Sequence, residues 1–321
     1  VKIGYKLSTE GFGPQELVRQ AVAAEEAGFD FVESSDHFHP WLESQGHSAS
    51  TWVLLPTIAA KTQRVGLVTG VTCPSFRYHP AVVAQSAATL QILSEGRFTL
   101  GVGAGERLNE HVVGTTFPTI RKRHQAFREA LEIIRLLWQG GYRSYEGAHL
   151  QIDDARIFDL PERLPDICVA VSGSASLRIA NELGDGLFAI EPKAELVAGF
   201  TGAGPRYAEI PLAWAPDADT AVQAVLEKNR FILTGGWKVL SELPNPVNFE
   251  AASQTVTKED VTAQFACGPD VEEHVRVAQQ FVDAGFDHLV TQNAGPDPDG
   301  FLEFFANELG DRLRALTPTT R

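Results

Sequence analysis

The chain has 321 residues, 44% of them hydrophobic and 21% charged, with a formal net charge of −14. That length can bury the core of one barrel or of two ordinary domains. The acidity excludes a general nucleic-acid binder, and no apolar run reaches the length of a membrane span.

In chain order, residues 2–7 alternate as a short strand, and 14–28 form an amphipathic helix with Pro14 in its first turn and Gly28 at its end. Residues 29–33 are predicted as the second strand, 51–61 as a helix, 65–71 as a strand and 80–93 as a helix. The fourth strand is 97–102, and a long helix over 119–138 stops at Gly140-Gly141. Residues 142–160 break the alternation and read as an inserted hairpin turning at Glu146-Gly147. Strands at 167–171, 186–190 and 207–215 then alternate with helices at 174–183, 193–200 and 217–230. Residues 231–264 are irregular and interrupted by proline, with one helix near 249–255. A helix at 271–284, an eighth strand at 288–292 and a closing helix at 299–316 complete the chain.

Eight strands, each followed by a helix, predict a single (β/α)8 barrel over 1–321, with insertions near 142–160 and 231–264. A doubly wound sheet is the alternative, but no Gly-x-Gly-x-x-Gly turn follows the first strand. Cys73, Cys168 and Cys267 are odd in number and lack metal-ligand spacing, so reduced thiols in a cytoplasmic protein are expected, with no signal peptide.

Barrel enzymes keep their chemistry at the carboxyl ends of the strands. Ser35-Asp36-His37-Phe38-His39-Pro40-Trp41 stands at the end of the second strand, and Gly101-Val102-Gly103-Ala104-Gly105-Glu106-Arg107-Leu108-Asn109-Glu110 at the end of the fourth. His37 and Glu106 can face one cavity from those ends, as an imidazole and a carboxylate able to exchange protons with one substrate. Taken alone, Glu106 reads equally as a solvated charge or as a partner of Arg107 or Arg77. The glycines let a flat ring approach the backbone. His37, His39, His47 and His79 lack the spacing of a metal site, and no metal is expected. Ser172-Gly173-Ser174-Ala175-Ser176 opens a helix, where free amides serve either an ordinary cap or a phosphate. Arg121-Lys122-Arg123 oppose the dipole at the start of another helix; a solvated face is the default reading of such a run, and the unfavourable placement raises the case for contact with a polyanion.

With these residues in view, almost the whole chain resembles the luciferase-like (β/α)8 superfamily. Within it, the chain is similar to the F420-dependent oxidoreductases, closest to the F420-dependent glucose-6-phosphate dehydrogenase group. The motifs that carry this are Gly4-Tyr5-Lys6, the Asp-His-Phe-x-Pro-Trp of 36–41, 76–85, the Gly-Glu-x-Leu-Asn-Glu of 105–110 and Gly184-Asp185-Gly186. The resemblance implies hydride transfer between a hydroxyl-bearing substrate and the deazaflavin coenzyme F420. The substrate classes are a sugar, a sugar phosphate or a secondary alcohol. It implies His37, Glu106 and Trp41 as catalytic residues. It implies Asp36, Ala104, Gly105, Asn109, Cys73 and a cis Gly70-Val71 peptide around the ring, and Ser172, Gly173, Ala175 and Ser176 at the cofactor's phosphate. A homodimer is expected. Lys193 matches one phosphate-binding lysine and Lys238 the other across a gap, whereas Gln264 stands where the group has arginine and Ile190 where it has threonine. The redox residues are thus kept and the substrate handle is changed, so an unphosphorylated alcohol is expected to be preferred over glucose 6-phosphate. Two other functions compete: an FMN-dependent luciferase-type monooxygenase, and a deazaflavin- or flavin-binding protein without turnover.

Overall fold

The computed structural model describes residues 1–319, so the last two residues of the expected 1–321 barrel lie outside the described residues. The strands are β1 (Lys2–Leu7), β2 (Phe31–Ser34), β3 (Gly66–Thr69), β4 (Phe98–Val102), β5 (Arg143–Glu146), β6 (Gln151–Ala155), β7 (Asp166–Ala170), β8 (Gly186–Ala189), β9 (Arg206–Ala213), β10 (Ala266–Cys267) and β11 (His288–Asn293). Eight of them close a parallel barrel in the order β1-β2-β3-β4-β7-β8-β9-β11. The seam closes where Lys2 pairs with His288, and β8 meets β9 at Leu187 and Arg206. β10 adds to the end of β9.

Parallel strands are covered on both faces, which is why they read as near-continuous apolar runs. Outside the barrel, Ile3, Leu7, Leu67 and Leu100 pack under the helices in the main core. Inside, Phe31, Val68, Cys168, Phe188, Tyr207 and Val290 form a second apolar cluster. Above them the filling is charged. Lys6 lies almost wholly buried between Glu33 and Glu209, with 3.0 Å from Nζ to Glu209 Oε1. Burial and the ion pairing pull Glu33 in opposite directions; burial wins and pushes its carboxyl up to about 8.

Local signals explain the helix starts. Pro80 begins helix Pro80–Leu93 behind His79, whose Nδ1 accepts from the Ala81 amide at 3.3 Å. The expected hairpin is β5 and β6, and the Glu129 carboxylate caps its connection by accepting from the amides of Ala148, His149 and Leu150.

Two expectations are corrected. Residues 231–264 are not irregular around one helix: they contain helices Trp237–Leu240, Pro246–Ala252 and Lys258–Gln264 after a 3-10 turn at Arg230–Leu233. Pro246 is the first residue of its helix, capped by Asn245, so the proline that read as a breaker is a start. Arg123 is not a surface cation of helix Ile120–Leu137. It is 1% exposed, with Nη2 2.7 Å from Glu242 and Nη1 donating to Pro118 O. Arg121 and Lys122 remain exposed.

Candidate active site

The loops after β1, β2 and β4 converge on one imidazole. His37 Nδ1 lies 3.2 Å from Glu10 Oε1, and Nε2 lies 3.2 Å from Glu106 Oε1. Nδ1 is nevertheless without a hydrogen bond of good geometry. Desolvation lowers the proton affinity of His37, and the negative charge of Glu10 only partly offsets it. Desolvation also pushes Glu106 up to about 8, helped by the nearby charge of Glu110. The site at neutral pH therefore pairs an uncharged base with a protonated acid, which is the division of roles acid–base chemistry needs.

Asn109 couples the two loops. Its Nδ2 donates to Glu106 Oε1 at 2.7 Å, and its Oδ1 accepts from the Phe38 amide at 2.8 Å. Trp41 closes the side, its ring 4.7 Å from that of His37 at 61°.

Asp36 is fully engaged. Thr72 Oγ1 donates to its Oδ2, and Arg77 and Tyr78 donate to its Oδ1. The side chain has no exposed surface, and these bonds tie the β2 loop to the β3 loop. Gly70-Val71 is a cis peptide, as expected. Gly70 must lack a side chain, because a Cβ there would lie 1.9 Å from Glu33 Oε1. Gly105 has φ +82°, and a Cβ would meet Cys73 Sγ at 2.7 Å. Cys73 is buried, and desolvation raises its thiol well above the ordinary range. Ala104, next to Gly105 in the sequence, is half-buried.

Ser176 Oγ accepts from the Ser172 and Gly173 amides, at 3.1 and 3.4 Å. The amides of the first turn of helix Ser174–Leu183 remain without helical partners. Ser172, Ser174 and Ala175 are exposed, and nothing stands within 4 Å of where a Gly173 Cβ would be. This open helix start fits a phosphate. Glu106 Oε2 and Ser75 Oγ, buried without partners, fit a polar ligand within the mouth.

The residues matched to a substrate phosphate come from the segment after β8 and from two of the inserted helices. Ile190, half exposed, follows β8, and Lys193 nearby is paired with Glu191. Lys238 and Gln264 are exposed on the inserted helices. Among the described residues neither makes a side-chain hydrogen bond or ion pair. His39 Nδ1 is 3.2 Å from Leu108 O, and His79 Nδ1 accepts from the Ala81 amide. No group of three or more His, Cys, Asp or Glu among the described residues could hold a metal. Sequence reasoning missed Glu10. Its only signal was position, an acid shortly after the end of β1.

The sequence profile described as luciferase-like monooxygenase matches residues 1–233. The chain belongs to the luciferase-like family. Among its luciferase-like relatives, the F420-dependent glucose-6-phosphate dehydrogenase of Microbacterium testaceum is 37% identical, over 98% of each chain. That of Kineococcus radiotolerans is 38% identical, over 98% of this chain and 97% of the relative. Among solved luciferase-like structures, an F420-dependent secondary alcohol dehydrogenase in complex with an F420-acetone adduct superimposes with a TM-score of 0.90. It is 27% identical, over 98% of this chain and 99% of the other. An F420-dependent tetrahydromethanopterin reductase, at 21% identity and a TM-score of 0.78, shares the fold.

Proposed function

We propose that the protein is an F420-dependent dehydrogenase that oxidises an unphosphorylated alcohol. The carrying observation is His37 held between Glu10 and Glu106 at the mouth of a barrel of this family. The bound deazaflavin supplies a hydride acceptor. Glu10, beside Nδ1, favours the tautomer with the proton on that nitrogen, which leaves Nε2 to accept the hydroxyl proton of the substrate. Glu106 keeps its own proton to about pH 8 and would give it to the coenzyme, which takes up one proton together with the hydride. Trp41 walls the site beside His37 and limits water. The helix start at 173–176 takes the cofactor phosphate, and Gly70, Val71, Cys73, Ala104 and Gly105 shape the ring site.

The altered substrate handle supports the alcohol. A paired Lys193 and a neutral Gln264 replace convergent cations, and Ile190 cannot donate a hydrogen bond. Titration with F420 and with FMN, followed by cofactor reduction with a secondary-alcohol panel and glucose 6-phosphate, tests both parts. F420 is expected to bind far more tightly than FMN, and an alcohol to outpace the sugar phosphate. Tighter FMN binding overturns the cofactor reading, and efficient glucose 6-phosphate oxidation overturns the substrate reading.

The chain is read as one domain, since both insertions return to the same barrel. A homodimer is supported by the outward faces of helices Thr51–Lys61 and Pro80–Leu93, where Val53, Val82, Ile92 and Leu93 are exposed. Light scattering should give twice the chain mass, and a lysine at Val82 should shift it to one. Three unpaired thiols suit the cytoplasm, and no helix among the described residues is long and apolar enough to cross a membrane.

A further inference from the structure

We propose that the inserted segment 230–264 is a clamp that holds Trp41 against His37, with Phe231 and Phe249 as positioning residues; this rests on the dehydrogenase reading above. The segment builds a small core of its own. Phe231, Leu240 and Phe249 pack with Leu42, from the loop after β2, and Leu108, from the loop after β4. Trp41 and Leu243 lie against this cluster, and none of these residues belongs to the main barrel core. The two loops that carry His37 and Glu106 are therefore joined through side chains supplied by the insertion.

The ring geometry fixes the indole in two directions. Phe231 stacks on Trp41 with centroids 4.8 Å apart and planes 13° apart. Phe249 meets the indole nearly edge-on, at 5.0 Å and 75°. The two phenyl rings stand at 87° to each other. One sets the plane of the indole and the other blocks its rotation within that plane. The imidazole of His37 meets the indole so held, at 4.7 Å and 61°.

Polar fasteners seat the segment. The Arg107 amide donates to Ser241 O at 2.9 Å, one residue after Glu106. Arg123 is buried, lies over the Phe117 ring at 4.2 Å, and has Glu242 of the insertion as its carboxylate partner. A buried guanidinium is costly without its counter-charge. Seating the insertion is thus coupled to completing the start of helix Ile120–Leu137, directly after the β4 loop. That coupling gives the arginine a place at a helix start that its charge opposes.

The test compares Phe231→Leu with the conservative Phe231→Tyr, in full-length protein whose wild type has first been shown to turn over an alcohol with F420. Misplacement of a group by about 1 Å can cost on the order of 100-fold in rate. Phe231→Leu is expected to lower kcat about tenfold or more, with KM and the F420 dissociation constant within about twofold. Phe231→Tyr is expected to stay within about twofold of wild type. Amide exchange across 37–45 should quicken in the leucine variant while the barrel strands keep their protection. Wild-type kcat and exchange in Phe231→Leu overturn the clamp, as does a parallel loss of cofactor binding and kcat. Should that variant not fold, Glu242→Gln loosens the same seat from a half-exposed position, and unchanged kcat and exchange there overturn the proposal. Absence of turnover in the wild type defeats the dehydrogenase reading instead, and the exchange result then still decides the clamp.

Discussion

Glu106→Gln separates the proton carried by this side chain from its shape. Glutamine is nearly isosteric, and its carbonyl oxygen can still accept from Asn109 Nδ2, so the link to the Phe38 amide survives. What disappears is the acidic proton. With the carboxyl pushed up to about 8, roughly nine-tenths of the native molecules carry that proton at pH 7. Removing a general acid typically costs about 10²–10⁴-fold in rate. Steady-state oxidation of the preferred alcohol should show this loss in kcat, with F420 affinity changed by no more than a few-fold. The wild type should lose activity as pH rises through about 8, and the variant should lack that limb. Stability follows with a defined sign. The folded carboxyl holds its proton to about 8 and the unfolded one only to about 4.5, so its contribution is fully present below 4.5 and is lost as pH rises through 8. The span is on the order of 5 kcal/mol, and glutamine abolishes it. Urea unfolding at pH 6 and pH 9 should therefore show a smaller alkaline loss for the variant. An alkaline limb that persists unchanged in Glu106→Gln refutes the assignment.

Glu10→Gln removes the charge that raises His37, so the imidazole should titrate lower still and the acid limb of the rate profile should move to more acid pH; an alkaline shift contradicts the pairing. Arg121→Ala combined with Lys122→Ala should weaken F420 with a long polyglutamate tail more than a tailless form, and less so at high salt; equal losses would place these cations outside tail recognition. Gln264→Arg should improve glucose 6-phosphate use by about tenfold, the scale of one charge-assisted hydrogen bond; no gain means that residue 264 does not reach the substrate.

The barrel was legible because parallel strands and their helices each follow one period, and because His37, Trp41 and Glu106 lie in short motifs at strand ends. Partners distant in sequence were not legible. Nothing near Asp36 in the sequence announces that Thr72, Arg77 and Tyr78, from another loop, donate to its oxygens. Arg123 reads as a surface cation because its carboxylate lies 119 residues away. The helices of 231–264 are four to seven residues long, too short for periodicity to emerge, and only the caps Asn245 and Thr257 mark them. Glu10 belongs to no pattern, since one acid after one strand looks like any loop charge.

The charged filling of the barrel constrains how such sequences can diverge. Lys6, Glu33 and Glu209 come from three different strands, yet each is tolerable in the interior only in the presence of the others. A change of Lys6 to an apolar residue strands two carboxylates, and a change of either carboxylate alters the balance around the ammonium. Single steps at these positions should be purged and joint steps retained. Across related chains, the three sites should therefore vary as a set or stand still together, although their loops and helices drift independently.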